Sequence, residues 1–193
     1  HAASLTAFGN TVPTSFLRLV PHQEAPTSIC WGDRNRSVLV RVPLGWQNID
    51  DSMFRDANPG EAPITDLPND SQTVELRSPD GSAAIHLLLA GITVAARIGL
   101  TEPGMADYAR ERKVDGDASQ TPGLDQLPDS CFEAAGRLLG QREDYEAFGV
   151  FPAGLIDSWA SHLMELGDMH LRDDLADSKV SVEELVMRYF HVG

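Results

Sequence analysis

The sequence predicts an α+β fold, with a few short antiparallel strands before residue 80 and helices grouped towards the C-terminal end. Three observations carry this. Two β-branched stretches flank a Gly-Asp-Arg-Asn turn at residues 32–35. Helix-start signals, a Ser followed three residues later by a Glu, stand at Ser130–Glu133 and Ser181–Glu184. At 42 % apolar residues over 193, the chain can bury the core of one ordinary domain.

In chain order, residues 1–8 read as the tail of a helix stopped by Gly9-Asn10. That helix has no N-terminal cap of its own, as expected of a chain that begins inside an element. Residues 27–31 and 37–42 read as two strands of a hairpin. In the second, Val38, Val40 and Val42 share one face, Ser37, Leu39 and Arg41 the other, and Pro43 ends it. Residues 46–72 are acidic and rich in Asn, Asp and Pro, too long for a turn, so they read as a lid or an insertion. Residues 73–77 form a strand with Val74 and Leu76 on one side and Thr73, Glu75 and Arg77 on the other. Residues 83–98 are apolar but short for a membrane span and contain His86 and Arg97, the pattern of a buried core helix. Residues 101–128 read as an irregular connection. A helix follows from Ser130 to about Leu139. One long amphipathic helix covers residues 153–175, with Leu155, Ile156, Trp159, Leu163 and Leu166 on its apolar face. A last helix runs from Ser181 to about Phe190.

Charge narrows the function classes. The formal net charge of −14 repels phosphate backbones, which argues against nucleic-acid binding. No membrane partner is expected, and neither a signal peptide nor a disulfide framework is visible. Cys30 and Cys131 lie far apart, which fits a reduced, cytoplasmic setting. Against the acidic background, residues 16–43 carry Arg18, Arg34, Arg36 and Arg41 but only Glu24 and Asp33, a local balance of +2. Such a cluster suits a small anion, because the guanidinium is a rigid donor fork; a set of surface salt bridges would have the same composition. The histidines show no metal-ligand spacing, and Trp31 reads as core or edge packing in preference to an adenine stack.

Three segments carry chemistry. The first is Arg18-Leu19-Val20-Pro21, two residues, then Glu24-Ala25-Pro26. The second is Arg34-Asn35-Arg36-Ser37 with Arg41 before the strand-ending Pro43. The third is Glu75-Leu76-Arg77-Ser78-Pro79-Asp80. In this order and spacing they resemble the catalytic domain of glutamine synthetases, and the stretch from Leu127-Pro128 to the final helix is similar too. The acidic loop at 46–72 is the least family-like part. Where some bacterial members carry a regulatory tyrosine before Asp-Leu-Pro, this chain reads Gly123-Leu124-Asp125-Gln126-Leu127-Pro128, so nucleotidylation there is not expected.

The resemblance implies that residues 1–193 are the C-terminal part of the catalytic domain of an ATP-dependent amide ligase, its strands belonging to that family's catalytic sheet. The implied reaction joins ammonia to the γ-carboxylate of glutamate through γ-glutamyl phosphate, with ATP and Mg²⁺ or Mn²⁺ as cofactors. Arg18 would bind the glutamate carboxylate and Arg77 the reacting γ-carboxylate or its phosphate. Glu24 would sit on the loop that closes over the site. Arg36 and Arg41 would contact the nucleotide phosphates, Arg36 also stabilising the transferred phosphoryl group. Glu75 would be a metal ligand. Other metal carboxylates lie upstream in the family, so a missing N-terminal half of the same protein and a homo-oligomeric full-length form are implied, and the chain alone is expected to be inactive. Two alternatives stand beside this reading: a γ-glutamyl ligase that uses an amine, and a non-catalytic structural member of the fold. Without the resemblance, Glu75 and Arg77 would read as an ordinary ion pair within a sheet.

Overall fold

Helix α1 (Ala2–Gly9) has apolar or small residues on every side, and such a helix belongs in the middle of a core. In the computed structural model, which describes residues 1–22, 24–43, 52–61 and 73–192, Ser4 to Gly9 are all buried. Asn10 closes the helix where the Gly-Asn pair predicts. Two helices pack on α1, α4 (Ile85–Thr101) and α6 (Cys131–Gly140), and α8 (Leu155–Met164) packs on α6. A Cβ on Gly91 of α4 would stand 2.9 Å from Leu5 and 3.1 Å from Phe8, so any larger residue would push these core side chains aside. Phe8 stacks on Phe151, and Tyr145 meets both rings edge-on. The Tyr145 hydroxyl finds Ser4 Oγ at 2.6 Å, and Trp159 Nε1 donates to the Ala7 carbonyl at 2.8 Å.

The other helices are short: α2 (Pro13–Leu17), α3 (Ser52–Ala57), α5 (Met105–Glu111), α7 (Arg142–Glu146), α9 (Leu171–Ala176) and α10 (Val182–Tyr189). The sheet is small and mixed, in the order β1 (Trp31–Asp33), β2 (Val40–Val42), β3 (Glu75–Leu76). The fold class is α+β, as predicted. No single helix among the described residues is long and apolar enough to cross a membrane.

Five sequence expectations change. First, β1 and β2 are not a hairpin but a parallel pair, Trp31 against Val40 and Asp33 against Val42. A three-residue strand is only about 10 Å long, and six extended residues reach about 20 Å, so residues 34–39 can bring the chain back to its starting end. Gly32 and Asp33 therefore belong to the strand. What holds them there is distant in sequence: Trp31 exchanges backbone bonds with Arg112 and Val114, Lys113 pairs with Asp33 at 2.9 Å, and a Cβ on Gly32 would lie 2.3 Å from the Val114 carbonyl oxygen. Trp31 packs at this edge, with Nε1 donating to Ala109 O at 2.7 Å. Second, the alternation expected from Ser37 to Val42 fails before Val40, since Val38 and Leu39 are both fully buried. Third, α4 buries only Leu88, Gly91 and Val94; Ile85, Leu89 and Leu100 are exposed. Fourth, the connection at 101–128 contains α5 and a 3₁₀ turn at Ala118–Gln120.

Fifth, the long helix expected over 153–175 is two helices, α8 and α9, broken at Gly167, whose φ is +66°. The predicted apolar face survives on α8 and just past it: Ile156 and Leu163 are in the core, with Leu155, Trp159 and Leu166 packed on it. The break delivers Asp168 to the N-terminus of α6, where its carboxylate accepts from Cys131 N (2.7 Å) and Phe132 N (3.1 Å). Ser130 Oγ accepts from Glu133 N, as expected of its cap, while the Glu133 carboxylate reaches Asp129 N instead of Ser130 N. At α10 the full reciprocal box of Ser181 and Glu184 forms. Both cysteines are buried free thiols; burial, and next the neighbouring Asp168 carboxylate, push the Cys131 thiol well above its ordinary pKa. Of the acidic loop, residues 46–51 and 62–72 lie outside the described residues, and the part between carries α3.

Candidate functional site

The site grows from one antiparallel register. β2 and β3 set Arg41 opposite Glu75 and Val40 opposite Leu76. Of the strand expected over 73–77 only Glu75–Leu76 forms, and Val74 is exposed instead of joining Leu76 on the core; Glu75 and Arg77 do lie on one face, as the sequence predicts. Arg41 Nη2 lies 2.5 Å from Glu75 Oε2, and Arg77 Nε lies 3.5 Å from Glu75 Oε1. Glu75 therefore makes a cross-strand pair with Arg41 and a same-strand pair with Arg77.

Arg77 ties this face to two loops. Its Nη2 donates to the Glu24 carbonyl at 2.9 Å, its Nη1 donates to the Arg36 carbonyl, and its backbone N–H continues the ladder to Leu39 O at 2.9 Å. Those loops meet again at the rim, where Arg36 Nη1 donates to both Glu24 carboxylate oxygens, at 3.3 and 3.1 Å. Arg18, at the end of α2, reaches the same turn from the other side, with Nη2 donating to the carbonyls of Ser78 and Pro79. All six predicted residues thus join one network. It runs from Arg77 at the floor, 13 % exposed, to Arg36 and Glu24 at the rim, 63 % and 67 % exposed.

The network holds four arginines and two carboxylates, a balance of +2 inside a chain of net −14. Burial, above all, lowers the Arg77 pKa; Glu75 opposes this, Arg41 adds to it, Glu24 opposes and Arg18 adds. An arginine stays charged through such a shift. The Nε–H groups of Arg41 and Arg77 are buried without a hydrogen-bond acceptor. Buried donors of that kind are costly, and Arg97 and Arg172, outside this network, share the feature.

The backbone is unusual here too. His22, Glu24 and Arg34 have positive φ, at 63°, 53° and 56°. For non-glycine residues this conformation is held by surrounding contacts. At Glu24 the contacts are Arg36 and Arg77. Beside Arg34 the contact is Asn35, whose Nδ2 donates to Val114 O (3.2 Å) and Gly116 O (2.6 Å) and whose Oδ1 accepts from Ser37 N (2.9 Å) and Ser37 Oγ (2.8 Å). Ser37 Oγ accepts from Ala118 N in turn. A cleft of about 410 Å³ opens between this loop and residues 115–119, with Glu24 and Arg36 on its wall. Sequence reasoning missed Asn35, Ser37 and the 114–118 segment as parts of the site. An Asn two residues before a Ser marks a side-chain-closed turn, but its partners lie some 80 residues away.

Glu75 is the predicted metal ligand, and its oxygens face arginines. Among the described residues no group of three or more His, Cys, Asp or Glu side chains is placed to share an ion. Those residues do not make a cation cage by themselves.

A family model described as "Glutamine synthetase, catalytic domain" matches residues 1–166. The chain is 32 % identical over 199 aligned positions to a glutamine synthetase of Thermococcus kodakarensis, covering 100 % of this chain and 39 % of that protein. It is 32 % identical to one from Pyrococcus abyssi, covering 100 % of this chain and 40 % of that protein. It is 30 % identical to one from Halobacterium salinarum, covering 95 % of this chain and 34 % of that protein. The chain therefore spans about two fifths of the length of the first two relatives.

Proposed function

The chain belongs to the glutamine synthetase family, in its catalytic domain, and from that premise we propose that it supplies the arginine face of an ATP-dependent ligase that joins ammonia to the γ-carboxylate of glutamate. The observation that supports this reading is the network of Arg18, Arg36, Arg41 and Arg77, four guanidinium groups set against only two carboxylates. A carboxylate becomes an amide only after activation, here as an acyl phosphate. Transfer of that phosphoryl group is mostly positioning and charge neutralisation, so fixed guanidinium groups are the right tools.

In this reading Arg18, exposed and anchored through one nitrogen, grips the glutamate carboxylate. Arg77 at the floor takes the reacting γ-carboxylate or its phosphate. Arg36 and Arg41 receive the nucleotide phosphates, and Arg36 carries charge compensation to the moving phosphoryl group. Glu24 closes the rim and keeps water from the acyl phosphate. A bound Mg²⁺ or Mn²⁺ would add charge neutralisation between the phosphates; Glu75 would offer it one oxygen, and the other ligands would come from outside this chain. The rest of the relatives' length would supply them, in a cytoplasmic homo-oligomer.

The test is a coupled assay of ATP hydrolysis with glutamate, ammonium and Mg²⁺, run on this chain and on the longer protein that contains it. Turnover is expected in the longer protein and none in this chain alone. A longer protein that hydrolyses no ATP under these conditions would sink the reading in favour of a structural member of the fold. Turnover with an alkylamine but not with ammonium would replace it by the amine ligase. Within the longer protein, Arg18→Lys should raise the glutamate KM roughly ten- to hundredfold, the worth of a lost charged fork at about 1.5–3 kcal/mol, and leave the ATP KM nearly unchanged. Equal losses for both substrates would make Arg18 a structural residue.

A further inference from the structure

We propose that Asn10 is a positioning residue for Arg18, acting through the Ser78 carbonyl; as regards substrate, this deepens the reading above and rests on it. Arg18 follows a five-residue helix and is exposed, so its own backbone does little to aim it. Its guanidinium is anchored on the carbonyl of Ser78, with Pro79 O a longer second contact at 3.3 Å. Because the guanidinium is planar, fixing one Nη on a rigid acceptor sets the direction of the rest of the fork. The aim of Arg18 is therefore as firm as the Ser78–Pro79 turn.

Asn10 holds that turn. It is fully buried, and its Nδ2 donates to the same Ser78 oxygen at 2.7 Å. A carbonyl has two lone pairs, and here one takes Asn10 and the other Arg18. The turn is sutured further to the end of α1. Asp80 N donates to Gly9 O at 3.1 Å, and a Cβ on Gly9 would already touch Pro79 at 3.0 Å. Thr11 Oγ1 donates to Ser82 O at 2.6 Å. Only Asn10 in this suture shares an acceptor with a site arginine. Its amide has one workable orientation, since a flipped Oδ1 would face the Ser78 oxygen; Oδ1 has no hydrogen-bond partner as it stands. Ser78 directly follows Arg77, so a drift of this turn also moves the floor of the network.

The test separates positioning from mere stabilisation. Arg18 guanidinium dynamics are followed by side-chain NMR in this chain, well below the melting range. Asn10→Ala should free Arg18, speeding its restrained guanidinium rotation roughly tenfold, the worth of one hydrogen bond. Thr11→Val removes a neighbouring bond of the same suture and should also melt lower, yet leave Arg18 as it was. Unchanged Arg18 dynamics in Asn10→Ala, or equal loosening in Thr11→Val, overturns the proposal. If Asn10→Ala does not fold, the unmutated chain decides: slow exchange of the Asn10 carboxamide protons supports the proposal, and exchange at the rate of a free amide overturns it. These readouts do not involve substrate. In the longer protein, Asn10→Ala should raise the glutamate KM and spare the ATP KM. If Arg18→Lys fails to move the glutamate KM, the substrate reading falls while the positioning is still judged by the NMR arm.

Discussion

Arg77→Ala is expected to lower the melting temperature of this chain by about 6–12 °C. The side chain is nearly buried and serves four partners: Glu75 and the carbonyls of Glu24, Arg36 and, at 3.5 Å, Val38. Its removal leaves Glu75 to Arg41 alone and frees both loops from β3. Losing charged hydrogen bonds at a mostly buried site costs about 3 kcal/mol, and each kcal/mol shifts the melt by about 2–4 °C at this size. In the longer protein the effect on kcat/KM should be larger, a loss of about a hundredfold or more, because the Glu24 and Arg36 loops would no longer be held in reacting geometry. Arg77→Lys should rescue little, since a single ammonium cannot reach two carbonyls and a carboxylate at once. A thermal melt within about 2 °C of the unmutated chain would mean that Arg77 does not hold these loops.

Asp168→Ala should be as damaging to stability, without touching the site. The first three N–H groups of α6 are fully assigned: Cys131 and Phe132 to the Asp168 carboxylate, Glu133 to Ser130 Oγ. Asp168 is buried, so water cannot replace it cheaply. Two orphaned donors and the loss of a negative charge at a helix N-terminus sum to about 3–5 kcal/mol, a drop of roughly 6–20 °C by calorimetry. Asp168→Asn keeps one acceptor oxygen and should cost about half as much. If Asp168→Ala melts within about 3 °C of the parent, α6 draws its stability from packing against α1 and α8 and not from its cap.

Asp168 also marks the limit of periodicity. Leu166-Gly167-Asp168 contains a helix stop, a glycine able to take positive φ, but apolar spacing alone runs through it to residue 175. Periodicity tells which face is buried; it does not tell where a helix ends when the signal is one glycine. The caps at Ser130 and Ser181 and the stop at Asn10 were legible because each is made by residues within a few positions of one another.

The α+β class, the shared face of Glu75 and Arg77, and the motif order that marks the family are legible in the order of residues alone. These follow from strand alternation, local capping and residue identity, which need no distant partner. That β1 runs parallel to β2 is visible only once the chain is folded, because β1 is bonded on its other side to the segment from Arg112 to Val114, some 80 residues away. The same is true of Arg77 gathering Glu24, Arg36 and Glu75, and of Asn10 sharing an acceptor with Arg18. Apart from the same-strand pair of Arg77 with Glu75, each of those contacts joins residues 41 to 68 positions apart and ends on a backbone carbonyl. A carbonyl is present at every position, so composition and spacing carry no signal of which one will be used; only the folded path of the chain selects it.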